Sequence, residues 1–347
     1  MKTVLVVGAG ATIEECSRSG NYKDDKEYWF PTITNFAKKF FLPLPLPITE
    51  VRGDKIGIFN HYNPPALNIV LQKYLTKHKI AFDDRFLNQK EFLPIEMNSS
   101  SVNVFFHLEE NFPSTHNVER LFQFAWKKYG QNNRFWEAFV HQSIFYHLTA
   151  LFTQQFGMGP GVEMKAGRKV AGMLSPGDKV INLNYDICFD LALIQCRINF
   201  AYSPKQQPDG ITVFKPHGSM NLYVNSTSGN FYFVPPDQVS TTGAVQRDGM
   251  TYSPLSGLLP PIMEKNYKTH ACASFILDSG QPFTADRMIL WGVGLTDSDT
   301  DLLKIYRDLG SSAKESIFIN PSQDAYNHAK QLLNCPLKHV TTLDELS

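Results

Sequence analysis

The chain has 347 residues, 43% of them hydrophobic and 19% charged, with 33 basic against 33 acidic side chains. This composition excludes a disordered chain and supplies enough apolar surface for a sizeable core. Zero formal charge argues against nucleic-acid binding through bulk electrostatics, and no run of 18 apolar residues is present to span a bilayer.

Val4-Leu5-Val6-Val7 is a continuous, β-branched apolar run, the pattern of a strand buried on both faces in a parallel sheet. Gly8-Ala9-Gly10-Ala11-Thr12 follows at once, placing a glycine-rich turn where doubly wound folds present backbone N–H groups to phosphate. Residues 18–32 are polar and irregular. A helix is predicted over Ile33–Phe41, stopped by the prolines at 43, 45 and 47. Residues 50–63 read as a loop, and Pro64-Pro65 as the start of a helix reaching Lys77. From Asn117 to Phe156 apolar residues recur at three- and four-residue spacing without a proline, predicting two or three helices with a break near Gly130–Asn133.

Beyond Gly157 strands and helices alternate. Strands are predicted over 178–184, 211–214, 287–292, 315–321 and 337–340, and helices over 187–196, 297–309 and 325–333. Most of these strands end in Gly, Asn or His. The expectation is an α/β protein: a Rossmann-like open parallel sheet with helices on both faces, interrupted by a helical subdomain at roughly 60–160. Ligands in such sheets bind beyond the carboxyl ends of the strands, so the polar residues there are candidates for one shared site.

Five segments stand at those ends. In the first turn GxGxxG fails, because position 13 is Ile, and no acidic residue closes a second strand about 20 residues on. A dehydrogenase of the usual Rossmann type is therefore disfavoured. Asn182-Leu183-Asn184-Tyr185-Asp186 combines an Asx turn with a cap for the next helix, and Asn184 exceeds what one cap requires. In Lys215-Pro216-His217-Gly218-Ser219 the histidine has the titration range for acid–base work. Gly292-Val293-Gly294 leads through Asp297 into a helix, and Asn320-Pro321 marks a turn. The five cysteines, Cys16, Cys188, Cys196, Cys272 and Cys335, contain no CxxC pair, and the histidines lack metal spacing, so no metal site is expected. Scattered cysteines and a short N-terminal apolar run without a cleavage site predict reduced thiols and a cytoplasmic location.

Taken in order, these five segments resemble the SIR2-like (sirtuin-related) NAD-hydrolysing domain of bacterial anti-phage defence proteins. Phe30-Pro31-Thr32-Ile33-Thr34-Asn35-Phe36 looks like the family's proline-containing loop, and Asn117–Phe122 like the opening of its helical insertion. The resemblance covers nearly all of residues 1–347 as one domain. It implies an NAD-binding sheet in which Asn184 and His217 are catalytic. The phosphate-facing turn would be Gly8, Ala9, Gly10, Ala11 and Thr12. Asp186, Gly218 and Ser219 would line the NAD site, with Gly292, Gly294, Asp297 and Asn320 on the adenosine side. Thr12 replaces the family's usual serine and keeps the hydroxyl. The missing CxxC removes the zinc ribbon of protein-deacylating sirtuins, which argues against a deacylase or ADP-ribosyltransferase. The implied activity is NAD+ glycohydrolysis, held in check by a separate regulatory protein or by homo-oligomerisation. The alternatives are a nucleotide-sensing module that hydrolyses nothing, and an unrelated nucleotide-using α/β enzyme. Retention of both Asn184 and His217 favours the hydrolase.

Overall fold

The computed structural model of the protein describes residues 1–24, 26, 29–32, 48–52, 55–59, 118–129, 147–157, 161–203, 205, 209–225, 227–239, 245–253, 258–262, 265, 283–296 and 299–346. Two compact units are present. One comprises residues 1–30, 155–259 and 263–347, and the other residues 31–154 with 260–262.

The first unit is built on β1 (Thr3–Val7), whose five residues are all buried. Helix α1 (Ala9–Ser19) follows one residue later. The remaining elements of the sheet layer are β4 (Lys179–Asn182), β5 (Phe200–Tyr202), β6 (Ile211–Phe214), β11 (Arg287–Trp291), β12 (Glu315–Ile319) and β13 (Lys338–Val340). They form one seven-stranded sheet in the order β13-β12-β11-β1-β4-β6-β5, parallel at every pairing. Parallel strands need crossovers, and the connections supply α4 (Lys165–Ala171), α5 (Cys188–Gln195), α6 (Thr300–Ser312) and α7 (Gln323–Leu333).

Side chains alternate between the two faces. Val4, Val6, Met288, Leu290 and Phe318 pack with Leu302, Leu303, Tyr306, Leu309, Ala329 and Leu333 of α6 and α7. On the opposite face the Trp291 ring meets Phe189 of α5 edge-on, and its indole N–H donates to Glu14 of α1 at 3.0 Å. Helices therefore cover both faces, as the alternation of strands and helices predicts.

The register places the strand ends in a row. Val7 pairs with Trp291 on one side and Asn182 on the other, Trp291 pairs with Ile319, and Ile181 pairs with Phe214. The residues that follow are Gly8, Gly292, Leu183-Asn184, Asn320 and Lys215-Pro216-His217, so all five candidate segments leave the sheet at one edge. From β1 the chain winds through β4 to β6 on one side, then returns to β11 on the other. The switch of winding direction falls between β1 and β11, where open sheets hold their ligands.

Several expectations need correction. Residues 50–63 do not read through as a loop: β2 (Ile48–Arg52) and β3 (Lys55–Phe59) pair antiparallel within the second unit. Gly53-Asp54 between them is a two-residue hairpin signal that the reading passed over. Helix α6 begins at Thr300 rather than 297, and α5 at Cys188 rather than 187. Beyond the predicted elements the chain also forms α4, β5 and two antiparallel pairs, β7 (Leu222–Val224) with β8 (Phe231–Phe233) and β9 (Val245–Arg247) with β10 (Met250–Tyr252). Three-residue strands are too short for periodicity to reveal. The second unit also contains α2 (Val118–Tyr129) and most of α3 (His147–Phe156), as the helical pattern of 117–156 predicts. The helices predicted at 33–41 and 64–77, and the break at 130–133, lie outside the described residues.

Candidate functional site

Two kinds of strand end meet at this edge. The first is made of backbone. Gly8 N–H donates to Trp291 O at 3.0 Å and Gly10 N–H to Gly292 O at 2.8 Å. A Cβ on Gly8 would come within 2.6 Å of Gly292 O, and one on Gly10 within 2.8 Å of Gly292 Cα. Gly292 has φ +62° and a Cβ there would overlap the Ala11 nitrogen. The three glycines thus lock the β1 and β11 loops together. Ala9 and Gly294 are the exposed members of these loops, and the space at Gly294 is open. Asn320 closes the row. Its Oδ1 accepts from Ser322 N–H at 2.9 Å, and its side-chain amide reaches Val293 O at 3.5 Å. Asp297 lies outside the described residues.

The second strand end is made of side chains. The Asn184 amide donates to Gly8 O at 3.0 Å and to Thr12 Oγ at 2.9 Å. Thr12 in turn donates to Asp186 Oδ2 at 2.8 Å. A hydroxyl has one proton, so its donation to Asp186 fixes Thr12 as an acceptor toward Asn184. Both amide hydrogens of Asn184 are then engaged, which orients its Oδ1 as the group left to accept. Asp186 Oδ1 takes Cys188 N–H at 2.9 Å, the Asx turn that starts α5. Burial raises the Asp186 carboxyl above its ordinary value, against the opposing effects of Lys215 and these hydrogen bonds.

His217 Nδ1 lies 3.0 Å from Leu183 O, the carbonyl immediately before Asn184. A carbonyl only accepts, so Nδ1 carries the proton and the basic lone pair of the neutral ring sits on Nε2. The 182–188 and 215–220 segments are stitched together at three further points. Lys215 Nζ donates to Asp186 O at 2.7 Å, Ser219 Oγ to Tyr185 O at 3.3 Å, and Met220 N–H to the same carbonyl at 2.8 Å. Gly218 takes φ +81° between them. Tyr185 is anchored by its hydroxyl to Leu259 O at 2.5 Å, and its ring centroid is 6.2 Å from that of His217.

Beneath these residues lies a buried network that the sequence reading did not single out. Lys215 Nζ lies 3.1 Å from Asp190 Oδ2, with both side chains wholly inaccessible. Asp190 also accepts from Asn182 Nδ2 at 3.0 Å and Tyr202 Oη at 2.8 Å. Burial, together with the Asp190 charge, pushes the Tyr202 hydroxyl well above its ordinary value, so it remains a donor. One signal was available: Asp190 is the single charge in the apolar helix Cys188-Phe189-Asp190-Leu191-Ala192-Leu193-Ile194. Among the described residues no group of three His, Cys, Asp or Glu side chains is placed to hold a metal ion. No described helix is long and apolar enough to cross a membrane.

The fold and this edge define the protein as an open parallel α/β sheet with polar side chains gathered beside its switch point. No family model matches the chain, and no curated protein matches it. Among solved structures, it is similar to a SIR2 homologue in complex with NAD, at 12% identity over 63% of this chain and 71% of that one, with a TM-score of 0.34. It is also similar to a mutant Sir2 homologue in complex with ADP-ribose, at 13% identity over 60% and 76% of the two chains, with a TM-score of 0.31.

Proposed function

We propose that the protein is an NAD+ glycohydrolase, converting NAD+ and water to nicotinamide, ADP-ribose and a proton. The observation that carries this reading is the pairing of Asn184 and His217. They stand on adjacent strand ends, with the imidazole tied to the carbonyl beside Asn184, next to the switch point between β1 and β11. The order of motifs that resembles the SIR2-like domain supports the same reading.

Breaking the nicotinamide–ribose bond builds positive charge on the ribose C1′. Nicotinamide departs as a neutral ring, so its departure needs no acid. The protein must hold the ribose and deliver water. The Asn184 Oδ1 acceptor, fixed by Thr12 and Gly8, accepts a hydrogen bond from the water or a ribose hydroxyl. His217 Nε2 takes the proton released as water adds. Exposed Ala9 and Gly294 leave room for the dinucleotide backbone at the switch point, with Asn320 beside them. Biologically we assign the activity to NAD+ depletion in an anti-phage response, restrained by a regulatory partner or by assembly of copies.

The test follows nicotinamide and ADP-ribose by chromatography after NAD+ is incubated with purified protein. Asn184→Ala and His217→Ala are each expected to lower the rate by about 10²-fold or more while folding normally. Normal cleavage by either folded variant would overturn the assignment.

A further inference from the structure

The mechanism leaves one group unused: a lysine ammonium buried at the base of the site. Lys215 lies on the segment that leaves β6, two residues before His217. Its ammonium grips two other segments at once, through Asp186 O at 2.7 Å and Asp190 Oδ2 at 3.1 Å. Asp190 takes Asn182 Nδ2, and Asn182 Oδ1 in turn takes the Asn184 N–H at 3.0 Å. A continuous chain of bonds therefore runs from the residue before Pro216-His217 to the backbone of Asn184. A second branch reaches Asp186, whose carboxylate holds the Thr12 hydroxyl on the Asn184 amide. Tyr202 supplies a third donor to Asp190 and keeps the carboxylate compensated.

A buried ion pair is a poor way to gain stability, because desolvating both ions offsets their attraction. Well-packed apolar residues would hold these segments as firmly. What an ammonium with several donors does better is to fix three strand and helix ends at one point with defined directions. We propose that Lys215 and Asp190 are positioning residues, a buried charged pin that sets the placement of Asn184 relative to His217. This rests on the reading of that pair as the NAD+-cleaving centre. The pin touches no substrate. Its effect falls on the reacting geometry, where a displacement of about 1 Å costs up to about 10²-fold in rate, while the backbone contacts that join the β1 and β11 loops do not pass through it.

The test uses the double variant Lys215→Met with Asp190→Asn. It removes both members of the ion pair together, so Asp190 is not left as a buried charge without its partner, and it leaves an amide to meet Asn182 and Tyr202. The expected result is a kcat for NAD+ cleavage at least about fivefold below wild type, with KM within about threefold. A smaller loss of kcat, or a loss confined to KM, overturns the pin. If the double variant does not fold, Tyr202→Phe replaces it, since it withdraws one donor from Asp190 and keeps the ion pair. A kcat at least about twofold lower at unchanged KM supports the pin, and unchanged kcat overturns it. If the wild type itself cleaves no NAD+, the functional reading fails. The pin is then judged by crystal structures of wild type and double variant: a shift of about 1 Å or more between Asn184 and His217 supports it, and coincident positions overturn it.

Discussion

The β1–β11 edge and the β4–β6 edge leave the same sheet at the same level, yet they are closed by opposite means. Between β1 and β11 the loops touch backbone to backbone, and three glycines exclude side chains from the junction. Between β4 and β6 the loops are joined by buried side chains around a charged pair. The first junction depends on the absence of atoms. The second depends on hydrogen bonds that must all be satisfied. An opening sits best on a rigid glycine lock, while chemistry needs oriented polar groups, and the fold places the two side by side.

The comparison predicts different penalties. Lys215→Met alone should show the largest, a loss of about 3–5 kcal/mol in chemical denaturation, because it strands Asp190 as an uncompensated buried charge. The double variant Lys215→Met with Asp190→Asn should recover part of that loss. Equal stability of the two variants would mean that steric fit, not charge, governs this edge.

Gly292→Ala should come next, at about 3 kcal/mol, combining a left-handed φ with overlap on the Ala11 nitrogen. Gly294→Ala, two residues on in open space, should stay within about 0.5 kcal/mol. Equal costs at the two positions would break the picture of a glycine lock.

A smaller effect is expected from Glu15, on the far side of α1. Its carboxylate accepts N–H groups of Ala166 and Gly167 at the start of α4, at 3.3 and 2.6 Å. Burial raises its pKa above the ordinary 4.5, against those hydrogen bonds. The folded protein then holds more protons than the unfolded chain above pH 4.5. This contribution to stability is complete below that pH and is lost as pH rises through the raised folded value. Denaturation of wild type and Glu15→Gln across this window should show the wild type losing stability relative to the variant as pH rises. Parallel curves would assign Glu15 no titration of its own.

The sequence made the frame legible and hid the connections. Buried parallel strands are continuous apolar runs, so β1, β4, β6, β11 and β12 stood out together with the polar residues that end them. Asn184 stood out because it exceeds what one cap needs and His217 for the titration range of its ring, and a catalytic role for the two came only with the family resemblance. The glycines at 8 and 10 were visible as a requirement, but what they pack against, Gly292, lies at the other end of the chain. Asp190 and Lys215 were visible only as an odd charge in an apolar helix and a lysine before Pro-His. Their meeting depends on α5 placing its first turn against the end of β6, which no local pattern encodes. The three-residue strands escaped because periodicity has too few residues to act on, whereas β2 and β3 carried a Gly53-Asp54 turn signal between them that went unused.

The most direct measurement of the central claim is nicotinamide release from NAD+ by wild-type protein and by folded His217→Ala. The account predicts release by the wild type and a rate lower by about 10²-fold or more in the variant. No release by the wild type, or equal release by both, would contradict it.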